Sequence, residues 1–363
     1  MRLTRATFAL CLFAALAPLS LANSICRAAG KDKDKDEVYR ERLEYDPATG
    51  QWIELAAPIP GTDGGDLAIA RAYLAKAEYK KAREAFALWF KVWPDSPHRP
   101  EALFYAAETE VSAVDEDPRG GDLFKAYDWL QELLQGWPGS ELADRALRKE
   151  LIIAEMILFK NRKHKVWKGT LWLSATDEAL TMLDKIIDDL ARGTPIAEQA
   201  LRLKADYHYQ AGEFEEAEIA YSRLNKDFPR GRYQKIALLR SGESALGRFP
   251  GVNFDEADLL EAEVYFKDFS TRYPQDSEPY AVPQKLGRIT ESRAEKDYTV
   301  ARYYERVKQY KAAAFYYRQV DKRYPSTTWA IQARERLIAL GEMAPPMPAA
   351  EPTSEPVTQG EGD

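Results

Sequence analysis

Apolar positions along this chain recur in one spacing. An alanine is followed by large apolar residues four, seven and eleven positions later, and then by proline. The copies are Ala82, Phe86, Trp89, Trp93, Pro94; Ala126, Leu130, Leu133, Trp137, Pro138; Ala217, Tyr221, Leu224, Phe228, Pro229; Ala262, Phe266, Phe269, Tyr273, Pro274; and Ala313, Tyr317, Val320, Tyr324, Pro325. A sixth, Ala179, Leu183, Ile186, Leu190, keeps the spacing but has Ala191 in place of proline. Such offsets put every member on one stripe of an α-helix. The alanine lets a neighbouring helix approach, and proline stops the helix by clashing with the preceding turn and offering no N–H. Ser96, Ser140 and Ser277 follow the stops and are expected to cap the next helices.

A second helical run with small residues on its face precedes these helices. Ile69 to Tyr73 leads into Glu78 to Ala82, Leu203 to Tyr207 into Gly212 to Ala217, and Val300 to Tyr304 into Gln309 to Ala313. The expected fold is all-α, a right-handed superhelical solenoid of about six helix pairs over residues 66–341, with disordered ends. The order Ala, Tyr, Ala, Phe, Pro resembles tetratricopeptide repeats, although every copy exceeds their ~34-residue period.

Outside that stretch the chain changes character. Arg2 and Arg5, an apolar run over residues 6–17, Pro18 and then Ser20-Leu21-Ala22 read as an export signal over residues 1–22. The apolar run is shorter than the ~20 residues a membrane span needs. Residues 23–65 hold the charge run 31–37, read as a disordered spacer, and then a small hairpin from Leu43 to Leu55 around Pro47 and Gly50. Asp32 to Asp36 has calcium-loop spacing at first, but Glu37 and Leu43 stand where glycine and the closing glutamate belong. Residues 342–363 read as a disordered, acidic, Pro-rich tail.

The aromatic-proline stops, the elongated repeats and the segment from Tyr303 to Ala333 resemble the BamD/YfiO family of outer-membrane assembly lipoproteins, over roughly residues 67–340. The resemblance implies an exported scaffold in the periplasm or on the periplasmic face of the outer membrane, whose protein partners are barrel-assembly components. The alternative is a periplasmic adaptor of cell-wall or division complexes, similar to Tol–Pal-associated repeat proteins. Cys26 is the candidate lipid anchor. Cys11 lies within the signal, so no internal disulfide is expected, and Ile25 fits a lipidation signal poorly.

Composition narrows the chemistry. The net charge is −7, and losing Arg2 and Arg5 makes it more negative, which disfavours nucleic acid. His98, His164 and His208 are far apart without a paired metal-ligand spacing, no phosphate-cradling glycine loop occurs, and Gly242-Glu243-Ser244-Ala245-Leu246-Gly247 misses the nucleophile-elbow spacing by one residue. No catalytic residue, metal, cofactor or small-molecule substrate is expected. Alignment by the alanines points Arg71, Arg202, Asp206, Tyr209, Tyr298, Arg302 and Arg306 toward an inner groove. There arginines could hold a carboxylate or an extended peptide. A basic-aromatic stretch with Arg162, Lys163, Lys165, Trp167, Lys168 and Trp172 interrupts the third repeat. It reads as an extended hairpin with packed tryptophans, or as a surface for an acidic partner or anionic membrane.

Overall fold

The computed structural model of the chain describes residues 42–46, 51–55, 58–117, 120–160, 163–166 and 171–342. The chain divides into two compact units between Ile59 and Pro60. In the first, β1 (Arg42–Asp46) pairs antiparallel with β2 (Gln51–Leu55), Tyr45 opposite Trp52. The stretch read as an export signal, the charge run, Cys26 and the tail beyond Glu342 lie outside the described residues.

The second unit is helical: α1 (Asp63–Ala75), α2 (Tyr79–Val92), α3 (Arg99–Glu116), α4 (Leu123–Gly136), α5 (Ala143–Phe159), α6 (Thr176–Lys185), α7 (Pro195–Ala211), α8 (Phe214–Asp227), α9 (Gln234–Arg248), α10 (Ala257–Arg272), the single turn α11 (Pro274–Ser277), α12 (Val282–Arg306), α13 (Tyr310–Arg323) and α14 (Thr328–Ala339). Between α5 and α6, β3 (Lys163–Val166) and β4 (Leu171–Ser174) form an antiparallel hairpin, Lys165 opposite Trp172. Each helix packs mainly on its neighbours in sequence, so six pairs follow one another and α14 closes the series. Among the described residues no helix is long and apolar enough to cross a membrane.

The recurring triad is the floor of this packing. Ala82, Phe86 and Trp89 are at most 1% exposed, and so are the corresponding residues of the other five copies. Each aromatic before a proline ends its helix with nearly the same backbone: Trp93, Trp137, Phe228, Tyr273 and Tyr324 have φ between −138° and −122° and ψ between 54° and 63°. Each still donates its N–H to the carbonyl four residues back. That is what a following proline permits, since it bars the helical region to the residue before it. In the copy without proline, Ala191 donates instead to Ile186, five residues back, and the last turn widens into a π turn over Ile186–Leu190.

The serines do not cap helices. Ser96 and Ser140 accept from the N–H of His98 and Leu142 in the turn before the helix, and Ser277 ends α11. The side-chain caps are Thr62, Asp122, Thr194 and Thr327. The turn between paired helices recurs three times with a left-handed residue five before the alanine: Ala77, Gly212 and Lys308, φ 56°, 78° and 60°. In each, the next residue's N–H donates to a carbonyl five residues back, at 2.9 Å. Only Gly212 suits that geometry without a Cβ penalty. Gly242 serves closeness instead, because a Cβ there would meet the buried Phe266 ring at 2.8 Å.

Four glutamates are buried among the described residues, Glu110, Glu150, Glu198 and Glu218, and one of them has an oxygen without a partner. Glu150 on α5 is fully buried, and its Oε1 accepts from Gln131 Nε2 at 2.7 Å. Its Oε2 has no partner among the described residues. Burial pushes its pKa up to about 8, against the opposing effects of the Gln131 bond and the Lys185 charge.

Two outcomes are expected from denaturation midpoints. Lys308→Gly gains about 0.5–1 kcal/mol by removing a Cβ from the left-handed region. Gly242→Ala loses about 1–3 kcal/mol by overpacking, despite alanine's better helix propensity. The linkage of Glu150 runs opposite to that of an ordinary ion pair. With the folded pKa raised, its favourable contribution is complete below the unfolded value near 4.5 and is lost as pH rises to about 8. Glu150→Gln should therefore flatten that part of the stability profile and add roughly 1–3 kcal/mol at pH 8.

Candidate functional site

The first helices of successive pairs present one polar face, and two clusters on it are built alike. In each, a carboxylate on the first helix is approached from below by a tyrosine of its paired helix. An arginine then joins from the helix after that pair, Arg336 on the carboxylate itself and Arg240 on a neighbouring tyrosine and glutamate.

The first cluster spans α7, α8 and α9. Tyr221 sits four residues after Ala217, so the helical stripe that buries its ring also aims its hydroxyl out through the helix pair. That hydroxyl donates to Asp206 Oδ1 at 2.6 Å. Burial, and then the Asp206 charge, push the Tyr221 pKa far above the ordinary tyrosine range, so it stays a donor. Arg202, one turn before Asp206, pairs with its other oxygen at 2.5 Å and lies over the Tyr233 ring at 5.1 Å. From α9, Arg240 stacks on Tyr209 at 4.3 Å and donates to Glu243 Oε2 at 2.8 Å, which also accepts from the Tyr209 hydroxyl at 3.2 Å. Lys285 of α12 reaches the other oxygen of Glu243 at 3.2 Å. Asp206 and Glu243 are 17% and 16% exposed, so this is a half-sheltered network rather than loose surface charge.

In the second cluster, Tyr317 of α13 donates to Glu305 Oε2 of α12 at 2.7 Å, and Arg336 of α14 binds both Glu305 oxygens. The Arg336 bond, with burial opposing it and the Tyr317 bond adding to it, holds the Glu305 carboxyl below the ordinary glutamate range. Burial first, and then the Glu305 bond, raise Tyr317 well above the ordinary tyrosine range.

The sequence-selected residues divide. Arg202, Asp206 and Tyr209 come together in the first cluster. Arg302 and Arg306 stand exposed beside the second. Tyr298 does not line an open groove: it is 6% exposed, packed between Tyr317 and Trp329 at 5.3 and 5.1 Å. Arg71 is engaged at the other end of the array, by Glu101 and the face of Tyr105 at 4.3 Å. Lys163 and Lys165 fall on β3 and Trp172 on β4, whereas Arg162, Trp167 and Lys168 lie outside the described residues. Sequence reasoning missed Arg240, Glu243, Lys285 and Arg336. The signal that could have found them was present, because Tyr221 and Tyr317 are buried stripe positions carrying a hydroxyl that needs a partner. Among the described residues no three His, Cys, Asp or Glu side chains gather as a metal would require.

This packing and this face define a tetratricopeptide-like helical array. Residues 173–346 match the model of the YfiO family, described as outer membrane lipoprotein, so the resemblance carried by the aromatic-proline stops holds over a stretch that contains both clusters. No curated protein matches the chain. Among solved structures, PilW, a widely conserved type IV pilus biogenesis factor, aligns at 16% identity over 76% of this chain and 99% of its own, TM-score 0.28. Pseudomonas aeruginosa PilF aligns at 12% identity over 76% and 97%, TM-score 0.30. Human IFIT1 aligns at 12% identity over 77% of this chain and 63% of its own, TM-score 0.26. The array itself is defined by the packing described above.

The second cluster gives a direct test of its own wiring. Carboxyl titration by NMR should show the Glu305 pKa rising in Arg336→Ala, and by less in Tyr317→Phe. The tyrosine change should also cost about 1–2 kcal/mol of stability through the lost hydrogen bond. An unmoved Glu305 titration in both variants would show that these contacts do not form in solution.

Proposed function

We propose that the chain is a non-enzymatic scaffold of the cell envelope that binds partner proteins for outer-membrane β-barrel assembly. The observation that carries this reading is the pair of carboxylate–tyrosine–arginine clusters on the first-helix face, both within residues 173–346, where the YfiO family matches. A face of this kind works by complementarity. The buried tyrosines fix where the carboxylates stand, and the arginines fix the orientation of an incoming polar segment. Individual half-exposed ion pairs contribute little stability, of order 0–1 kcal/mol, so their ordered repetition fits recognition better than folding. In this reading the chain is exported and works at the periplasmic face of the outer membrane.

The test is affinity purification from crosslinked envelope membranes, with partners identified by mass spectrometry. Barrel-assembly components should be recovered with the unaltered chain, and several-fold less with Arg202→Glu/Arg240→Glu of unchanged helical content. Reproducible recovery of peptidoglycan-associated or division proteins without any barrel-assembly component would overturn the proposal in favour of a cell-wall adaptor.

A further inference from the structure

The C-terminal end of α12 carries cationic charge that the array does not use. Arg302 and Arg306 are exposed, and neither makes a hydrogen bond or ion pair with a carboxylate among the described residues. The neighbouring carboxylate, Glu305, is engaged by Arg336 and Tyr317. Arg302 is close enough for its charge to act on Glu305 and on Tyr298. Two guanidinium groups, Arg336 and Arg302, therefore already act on this one carboxylate, and exposed Arg306 and Lys308 follow it directly in the chain. Aromatic surface adjoins them: Tyr303, 52% exposed, lies under Arg306 at 5.5 Å, and Tyr310 is equally exposed.

The chain itself continues from this place. Glu342, held by Arg318 of α13, follows α14 shortly after Arg336, a separation on the order of 10 Å. Residues 343–363 contain no lysine or arginine; they carry Glu351, Glu355, Glu361 and Asp363, interspersed with Pro345, Pro346, Pro348, Pro352 and Pro356. At ~3.3 Å per residue, Glu351 can stand up to about 30 Å from Glu342, ample for reaching the end of α12. Proline-rich segments dock on aromatic surfaces in an extended conformation, and carboxylates pair with guanidinium by charge-assisted hydrogen bonds.

We propose that residues 343–363 dock in cis on the C-terminal end of α12. Their carboxylates pair with Arg302 and Arg306, and their prolines lie against Tyr303 and Tyr310. The tail then acts as an internal acidic ligand at that end of the face, and an acidic partner segment would have to displace it. This inference does not depend on which partner the scaffold serves.

Arginine labelling with phenylglyoxal, read by peptide mass spectrometry on the full chain, tests it. The comparison is with E351Q/E355Q/E361Q/D363N, whose changes lie outside the helical array and leave its fold untouched. Arg302 and Arg306 should react several-fold more slowly in the unaltered chain than in the variant, while exposed Arg288 on the same helix reacts equally in both. That protection should fall away in high salt and persist on dilution. Equal reactivity of Arg302 and Arg306 in the two chains would overturn the proposal. Protection that disappears on dilution would overturn it too, by assigning the occupant to a second copy.

Discussion

The contact on which the structure depends is an alanine seated against a neighbouring helix, with two large residues filling the space beside it. A helix pair can close only if one side chain at the crossing is nearly absent, and the six alanines at these crossings have no exposed surface. The large residues four and seven positions on exclude water from the same seam. Because each pair is sealed this way, its stability comes from itself and its immediate neighbours, as in other one-dimensional arrays. The aromatic-proline stop then fixes where the chain leaves the helix. In all six copies the N–H three residues beyond the stop returns to the carbonyl at the stop, Thr194 to Ala191 in the copy without proline included. Proline therefore sharpens an exit that the packing already favours.

Length within this plan is not uniform. α12 runs from Val282 to Arg306, the longest helix among those described. Its first half shares a core with α9 and α10, around Phe266, Phe269 and Ile289, while its second half shares another with α13 and α14, around Tyr317 and Leu337. Arg293 ties it back to α10 through Glu256 at 3.0 Å and Glu263 at 2.9 Å. Beyond that anchorage Val300, Tyr303 and the C-cap residue Val307 follow one stripe, 37%, 52% and 43% exposed. The last pair is therefore joined to the preceding one by a single continuous helix, and the surface left uncovered along it is a consequence of that joint.

Much of this was legible in the sequence because a 4–3–4 spacing has one geometric meaning. It marked the buried stripe of every second helix and the exit of five of the six. Positions that depend on contact between repeats were not legible. Arg240 and Arg336 come from the helix after the pair they serve, so alignment within one repeat cannot place them. Tyr298 shares a helical face with Arg302, yet Trp329 from α14 covers it. Ala77 and Lys308 adopt the left-handed turn that only Gly212 advertises by its identity. Ser96 and Ser140 follow their stops closely, yet they bond within the turn, two residues before an N–H that belongs to the N-cap. Gly242 drew notice through a motif it does not form, and its role is the room it leaves for Phe266.

The fold also constrains how the polar face can be read. At the position four after the alanine stand Phe86, Leu130, Leu183, Tyr221, Phe266 and Tyr317. A hydroxyl buried there must find a partner, so Tyr221 and Tyr317 require Asp206 and Glu305 regardless of any ligand. These carboxylates serve the fold and the face together, and an arginine that neutralises one of them is partly occupied in doing so. Phe266, between the two tyrosine copies in sequence, makes no such demand, so the clusters are separated by a pair with an apolar floor. An incoming segment therefore meets two fixed polar points with committed charges. Guanidinium groups held to no carboxylate, such as Arg302 and Arg306, are the ones able to form new pairs without breaking old ones. By this reasoning, selectivity along the face follows from which cations the tyrosine–carboxylate pairs leave unengaged more than from the total number of charges.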